Sequence, residues 1–185
     1  MIQSKKMHPL LFSFLLLSPA LITACSDQKE PYASHPKQTN DPTHDLKAQI
    51  EAKPIKTFKS TVHDLDDIAL LSEYEQNFNA ISTDLEAELE QLKKDGNLTE
   101  EMNNQRKRDL IQSSLNMLKE LDLKTEQGRY IQGLFYQYWE SQSEVYTELT
   151  QSNNQELQNP TDAVKNMSDY YTAKAQLEHW RAVSK

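Results

Sequence analysis

Past Thr61 the apolar side chains recur at intervals of three and four, the spacing that puts them on one face of an α-helix. No stretch alternates residue by residue as a half-buried strand would. Leu71, Phe78, Leu85 and Leu92 return every seven residues with Tyr74, Ile81 and Leu89 beside them. That pattern predicts a first long helix over 64–94 with a seam facing a partner helix. Asp95-Gly96-Asn97 stops it, glycine being the residue best suited to left-handed backbone at a helix end. A second helix is expected over 99–121, with Thr99 as its cap and Glu100 and Glu101 against the positive end of the helix dipole. Its first half is polar, so its apolar face rests on Leu110, Ile111, Leu115, Leu118 and Leu121. A third, over 125–151, offers Ile131, Leu134, Tyr138, Val145 and Leu149. A fourth is expected to start from Asn159 as cap and Pro160 in its first position, carrying Ala163, Met167, Tyr170, Tyr171 and Leu177 on one face. Four amphipathic helices with short connections predict an all-α chain, an antiparallel four-helix bundle over 61–185. A long helical hairpin that dimerises is the alternative.

The pattern upstream is different. Pro31, Pro36, Pro42 and Pro54 break any helix among Ser, Thr, Asn, Gln and Lys, so residues 25–60 read as a cysteine followed by a flexible tether. At most, Leu46–Ala52 forms a transient helical turn. A tether of this length spans roughly 30 Å. Further upstream, Lys5 and Lys6 precede the apolar block Leu10–Leu17, and small residues lead to Cys25. This is the layout of an export signal, and the block is shorter than the ~20 apolar residues a bilayer span needs. Residues 1–24 are therefore expected to be a cleaved signal.

The stretch Leu21-Ile22-Thr23-Ala24-Cys25 resembles the lipobox of bacterial lipoproteins. The resemblance covers residues 1–25 only. It implies that the Cys25 thiol is diacylated, that the chain is cut just before it, and that the new amine is usually acylated as well. Each buried methylene contributes about 0.8 kcal/mol, and two or more acyl chains anchor stably where one does not. In the Gram-negative members Asp directly after the cysteine favours retention in the inner membrane. Ser26 stands there, which implies delivery to the outer membrane, with the domain on the periplasmic side. The partners implied are the bilayer, through acylated Cys25, and a protein of the cell envelope.

Loss of Lys5 and Lys6 with the signal takes the formal charge from −8 to −10. An acidic domain repels nucleic acid and anionic headgroups, so neither is expected as a partner. With one cysteine no internal disulfide is possible, and stability must come from burial.

The chemistry-bearing residues are sparse. A di-iron bundle needs Glu-x-x-His pairs, whereas Ser60 precedes His63 and Gln176 precedes His179 at that spacing. There is no haem attachment motif and no cysteine cluster for zinc. His63-Asp64-Leu65-Asp66-Asp67 reads as the acidic first turn of a helix, since consecutive helical residues point in different directions. His35 and His44 stand among the prolines of the tether. No Gly-x-Ser-x-Gly occurs, and three glycines leave little for a phosphate-cradling loop. No catalytic residue, metal or cofactor is expected, and the chain does not read as an enzyme.

The aromatic residues are more informative. Gly128, Phe135, Trp139 and Tyr146 fall within about 40° of one another on a helix, beside the main apolar face. They pack against a second neighbour in the bundle, or they form a patch for a partner helix or peptide. Tyr136 points away from the core, and Trp180 lies off the main stripe of its helix. Phe135, Trp139, Tyr146 and Trp180 are thus the candidate partner- or ligand-binding residues. Two functions follow: a non-catalytic protein–protein interaction or envelope-assembly module, or a periplasmic carrier of a small hydrophobic ligand or lipid in an aromatic-lined pocket. Asn97-Leu98-Thr99 reads as a turn and cap, and Arg106-Lys107-Arg108 as a solvated basic island paired with nearby Glu.

Overall fold

A computed structural model describes residues 42–151 and 160–184, all within the unit Thr39–Lys185. The signal, Cys25 and Asn159 lie outside the described residues. Five helices follow in order: α1 (Pro42–Ile50), α2 (Asp64–Lys94), α3 (Glu100–Glu120), α4 (Glu126–Gln151) and, after a 3₁₀ turn at Pro160–Val164, α5 (Met167–Val183). No strand occurs among the described residues. The chain is an all-α helical bundle, built by α2 to α5 around one core.

Local chemistry explains most of the boundaries. Gly96 takes φ +69, its N–H donates to Lys93 O, and the Asn97 N–H donates to Leu92 O. These paired bonds satisfy carbonyls that the end of α2 would leave bare. Thr99 caps α3 by accepting from the Met102 N–H at 3.1 Å. The fourth bundle helix departs from expectation. Pro160 begins a 3₁₀ turn, and the α-helix starts only at Met167, after Asn166 in the left-handed region at φ 56. Asparagine tolerates that conformation, and this one is pinned on two sides. Its N–H donates to Gln49 Oε1 and its side-chain amide donates to Ser141 Oγ.

Cross-helix partners fix the directions. Tyr74 meets Ser114 while Glu88 meets Arg106, so α2 and α3 are antiparallel. Lys119 lies over Tyr136 and Lys107 over Tyr146, so α3 and α4 are antiparallel. Phe135 meets Tyr170 while Ser141 meets Asn166, so α4 and α5 are antiparallel too. α2 and α4 then run parallel, with Asp67 at Thr125 and Phe78 at Trp139.

The core joins Leu71, Tyr74 and Phe78 of α2 to Ile111, Leu115 and Leu118 of α3, to Ile131, Phe135 and Trp139 of α4, and to Ala173, Leu177 and Trp180 of α5. Burial along the α2 seam is graded: Leu71 and Phe78 are buried, Leu85 and Leu92 only half-buried. Length accounts for this. At ~1.5 Å per residue the 31 residues of α2 extend well beyond the 17 of α5, so the far end of α2 lacks that neighbour.

The segment expected as the distal part of a tether is built into the bundle. α1 lies against α5 and the 3₁₀ turn, and residues 53–58 form a strap hydrogen-bonded to α5. The expected tether therefore does not extend to residue 60: α1 and residues 53–58 have partners within the bundle. α1 begins at Pro42, a position where a missing backbone N–H costs a helix nothing, and a residue before proline, as Lys53 is before Pro54, favours extended backbone.

Candidate functional site

Of the four aromatics singled out by the sequence, three are buried and do not line a surface. Phe135 and Trp139 sit in the core, and Trp180 is 2% exposed. Trp139 stacks obliquely on Phe78 with ring centres 4.7 Å apart and meets Tyr138 at the same distance. Its indole N–H donates to Tyr74 Oη, which shares a second hydrogen bond with Ser114 Oγ. This buried chain ties α4 to α2 and α3. Trp180 lies at the other end of α5, beside Asp64. Tyr146 is half-buried near the end of α4, under the Lys107 ammonium. Phe135 and Trp139 are thus brought together, Tyr146 and Trp180 are not, and the stripe's neighbours are within the bundle. Tyr136, expected to be exposed, is half-buried beneath Lys119, because a long lysine stem covers one face of its ring.

Burial governs the tyrosines. It raises Tyr74 and Tyr138 far above the ordinary phenol range, against the opposing effect of the Ser114 and Trp139 hydrogen bonds at Tyr74. Tyr170 is pushed up to about 12, again mainly by burial.

The acidic stretch at the start of α2 separates into three roles. Burial pushes the Asp64 carboxyl up, but hydrogen bonds from Thr61 and Ser60 together outweigh it and hold it below the ordinary value. Asp66 is exposed beside His63. Asp67 is buried and reaches α4, accepting from the Lys124 and Thr125 N–H groups and from Thr125 Oγ1. It thereby caps a helix more than fifty residues away in sequence. Among the described residues no three His, Cys, Asp or Glu side chains are placed to hold a metal ion. His44 lies in α1 and His35 outside the described residues.

The basic island is internally engaged: Arg106 pairs with Glu88, Arg108 with Gln105, and Lys107 is over Tyr146 with its pKa lowered by burial. Asn97 is an exposed turn residue and Thr99 the cap.

The arrangement that sequence reasoning missed is on α5. Asp169, Thr172 and Gln176 share one face of that helix and are buried although polar. The strap accounts for them. The Gln176 side-chain amide meets both backbone groups of Lys56, accepting from its N–H at 2.9 Å and donating to its C=O at 2.7 Å. Thr172 Oγ1 accepts from the Lys53 N–H at 2.8 Å, and Asp169 pairs with the Lys53 ammonium. Beyond them Lys56 lies 4.8 Å from the Tyr130 ring centre, and Phe58 packs on the same ring. The only hint in the sequence was the polar character of these α5 positions, which an apolar-face reading discards. A small polar recess lined by Gln49, Lys53, Asn166, Ser168 and Asp169 opens at the head of the strap.

No helix of the described residues is long and apolar enough to cross a membrane. Compared with family models, curated proteins and solved structures, the chain matches none.

Proposed function

We propose that this chain is a lipid-anchored protein of the bacterial outer membrane, acting at the periplasmic side as a non-catalytic interaction or envelope-assembly module. The observation that carries the reading is the Leu21–Cys25 stretch behind a short apolar block and two lysines, with Ser26 rather than Asp after the cysteine. An acylated Cys25 holds the molecule at the bilayer, and the acidic helical bundle faces partners there. The net charge, −8 for the whole chain and −10 once Lys5 and Lys6 leave with the signal, disfavours anionic surfaces and nucleic acid and favours basic protein segments.

Labelling with radioactive palmitate in a Gram-negative host tests the anchor. The wild-type chain should take up label and sediment with outer membranes, and Cys25→Ala should remain unlabelled and leave the membrane fraction. Label retained by Cys25→Ala, or a wild-type chain recovered wholly soluble, overturns the reading.

A further inference from the structure

The floor beneath the strap has the wrong chemistry for a permanent core element. Thr172 and Gln176 are both 0% exposed, yet each presents a polar side chain where packing alone favours an aliphatic one. The strap returns little apolar burial: Ile55, its one aliphatic residue, is 42% exposed, and only Phe58 packs inward. Removing the strap hands the floor to water, which can hydrogen-bond Thr172, Gln176 and Asp169 in its place. An apolar floor would resist that exchange, because uncovering it exposes apolar surface to water. The bonds are also largely blind to sequence. Three of them reach the backbone of Lys53 and Lys56 through Thr172 and Gln176. Side-chain selection comes from two ammonium groups, one on the Asp169 carboxylate and one over the Tyr130 ring, and from the Phe58 ring against Tyr130.

We propose that this face of α5 is a recognition groove for an extended basic segment of a partner protein, with two lysines three residues apart, and that residues 53–58 occupy it as a built-in competitor. The partner's backbone takes the places of Lys53 and Lys56 on Thr172 and Gln176, and its lysines take those on Asp169 and Tyr130. Charge complementarity favours such a segment, because the chain carries a net charge of −8. The strap, covalently joined, competes at an effective concentration on the order of mM, so the groove opens to a partner that is itself held nearby. This deepens the interaction reading by naming the partner's chemistry. It does not depend on the lipid anchor, which the palmitate experiment reads separately.

The test uses the full chain in mild detergent and a fluorescent peptide copying residues 51–60. Lys56→Pro deletes the N–H that Gln176 accepts and frees the groove, and helical circular dichroism verifies the fold. The peptide should bind Lys56→Pro saturably below about 1 mM and bind the wild-type chain much more weakly. Adding Gln176→Leu, or replacing the peptide's first lysine by alanine, should weaken binding about tenfold or more. No saturable binding, or binding indifferent to Gln176→Leu, overturns the proposal. So does crosslinking of one copy's strap to another copy's α5, which assigns the groove to a second copy of the chain. A measurement on the wild-type protein avoids the variants. The Lys53 and Lys56 amides should exchange with solvent faster than that of Leu177, and exchange only on global unfolding would make the strap a fixed part of the fold.

Discussion

Gly128 and Gly133 lie on the same helix and invite the same substitution with opposite results. Alanine relieves the entropic cost of a helical glycine by roughly 0.5–1 kcal/mol where its methyl has room. At Gly133 nothing lies within 4 Å of an added Cβ, so Gly133→Ala should stabilise the bundle by about that amount. At Gly128 the same atom would stand 2.5 Å from Asp67 Oδ2 and 3.0 Å from Thr125 Oγ1. The carboxylate has nowhere to swing, since it accepts from two backbone N–H groups and the Thr125 hydroxyl at once. Gly128→Ala should therefore disrupt the cap and destabilise by about 1–3 kcal/mol. Urea denaturation of the two variants decides it: midpoints moving in the same direction would contradict the cap geometry. Asp67 also marks a limit of sequence reading. Its place in an acidic first turn was visible, whereas its service to α4 was not, because nothing local specifies a contact across fifty-eight residues.

The helices themselves were legible because their causes are local. The seven-residue seam of α2, the Gly96 stop and the Thr99 cap all act within a few residues, and α2 occupies the 64–94 expected of it. The strap was illegible for the opposite reason: its bonds join residues more than a hundred apart and use polar side chains that an apolar pattern ignores. The same distinction separates pattern from burial within α2. Leu71 and Leu92 hold equivalent positions in the repeat, but Leu71 is fully buried and Leu92 only half-buried. Leu71→Ala should cost about 2–5 kcal/mol, and Leu92→Ala no more than about 1 kcal/mol. Equal losses in thermal or urea unfolding would mean that the far end of α2 is covered by something in solution. The aromatic stripe is a further case: the sequence sets it beside the main apolar face of α4, but Phe135 and Trp139 lie within the core, with Tyr74, Phe78 and Tyr170 of the bundle itself as neighbours.

Those aromatic contacts make the whole molecule sensitive to alkali. Tyr74, Tyr138 and Tyr170 come from α2, α4 and α5, and burial raises all three above the ordinary phenol value of 10.0. A raised folded-state pKa means that the native protein holds the proton more tightly than the unfolded chain. The stability from each is thus complete below pH 10 and is lost as pH climbs through the folded values. For Tyr170, pushed up to about 12, two pH units correspond to about 3 kcal/mol, a large part of the 5–15 kcal/mol that holds a typical domain together. With the other two titrating higher still, the bundle should be stable to about pH 10 and unfold cooperatively above it, tyrosinate absorbance rising together with the loss of helical circular dichroism. Self-repulsion of an acidic chain whose lysines are losing charge predicts a similar loss, and salt separates the two. Roughly 1 M salt shortens the Debye length to about 3 Å and would rescue a repelling surface, but leaves Tyr74 in the core, and Tyr138 and Tyr170 half-buried against it, costly to ionise. The alkaline midpoint should be insensitive to salt and should rise in Tyr138→Phe, which removes one ionisable group and keeps the ring. Tyrosinate appearing before helicity falls, or a midpoint restored by salt, would place the weakness at the surface instead of in the aromatic core.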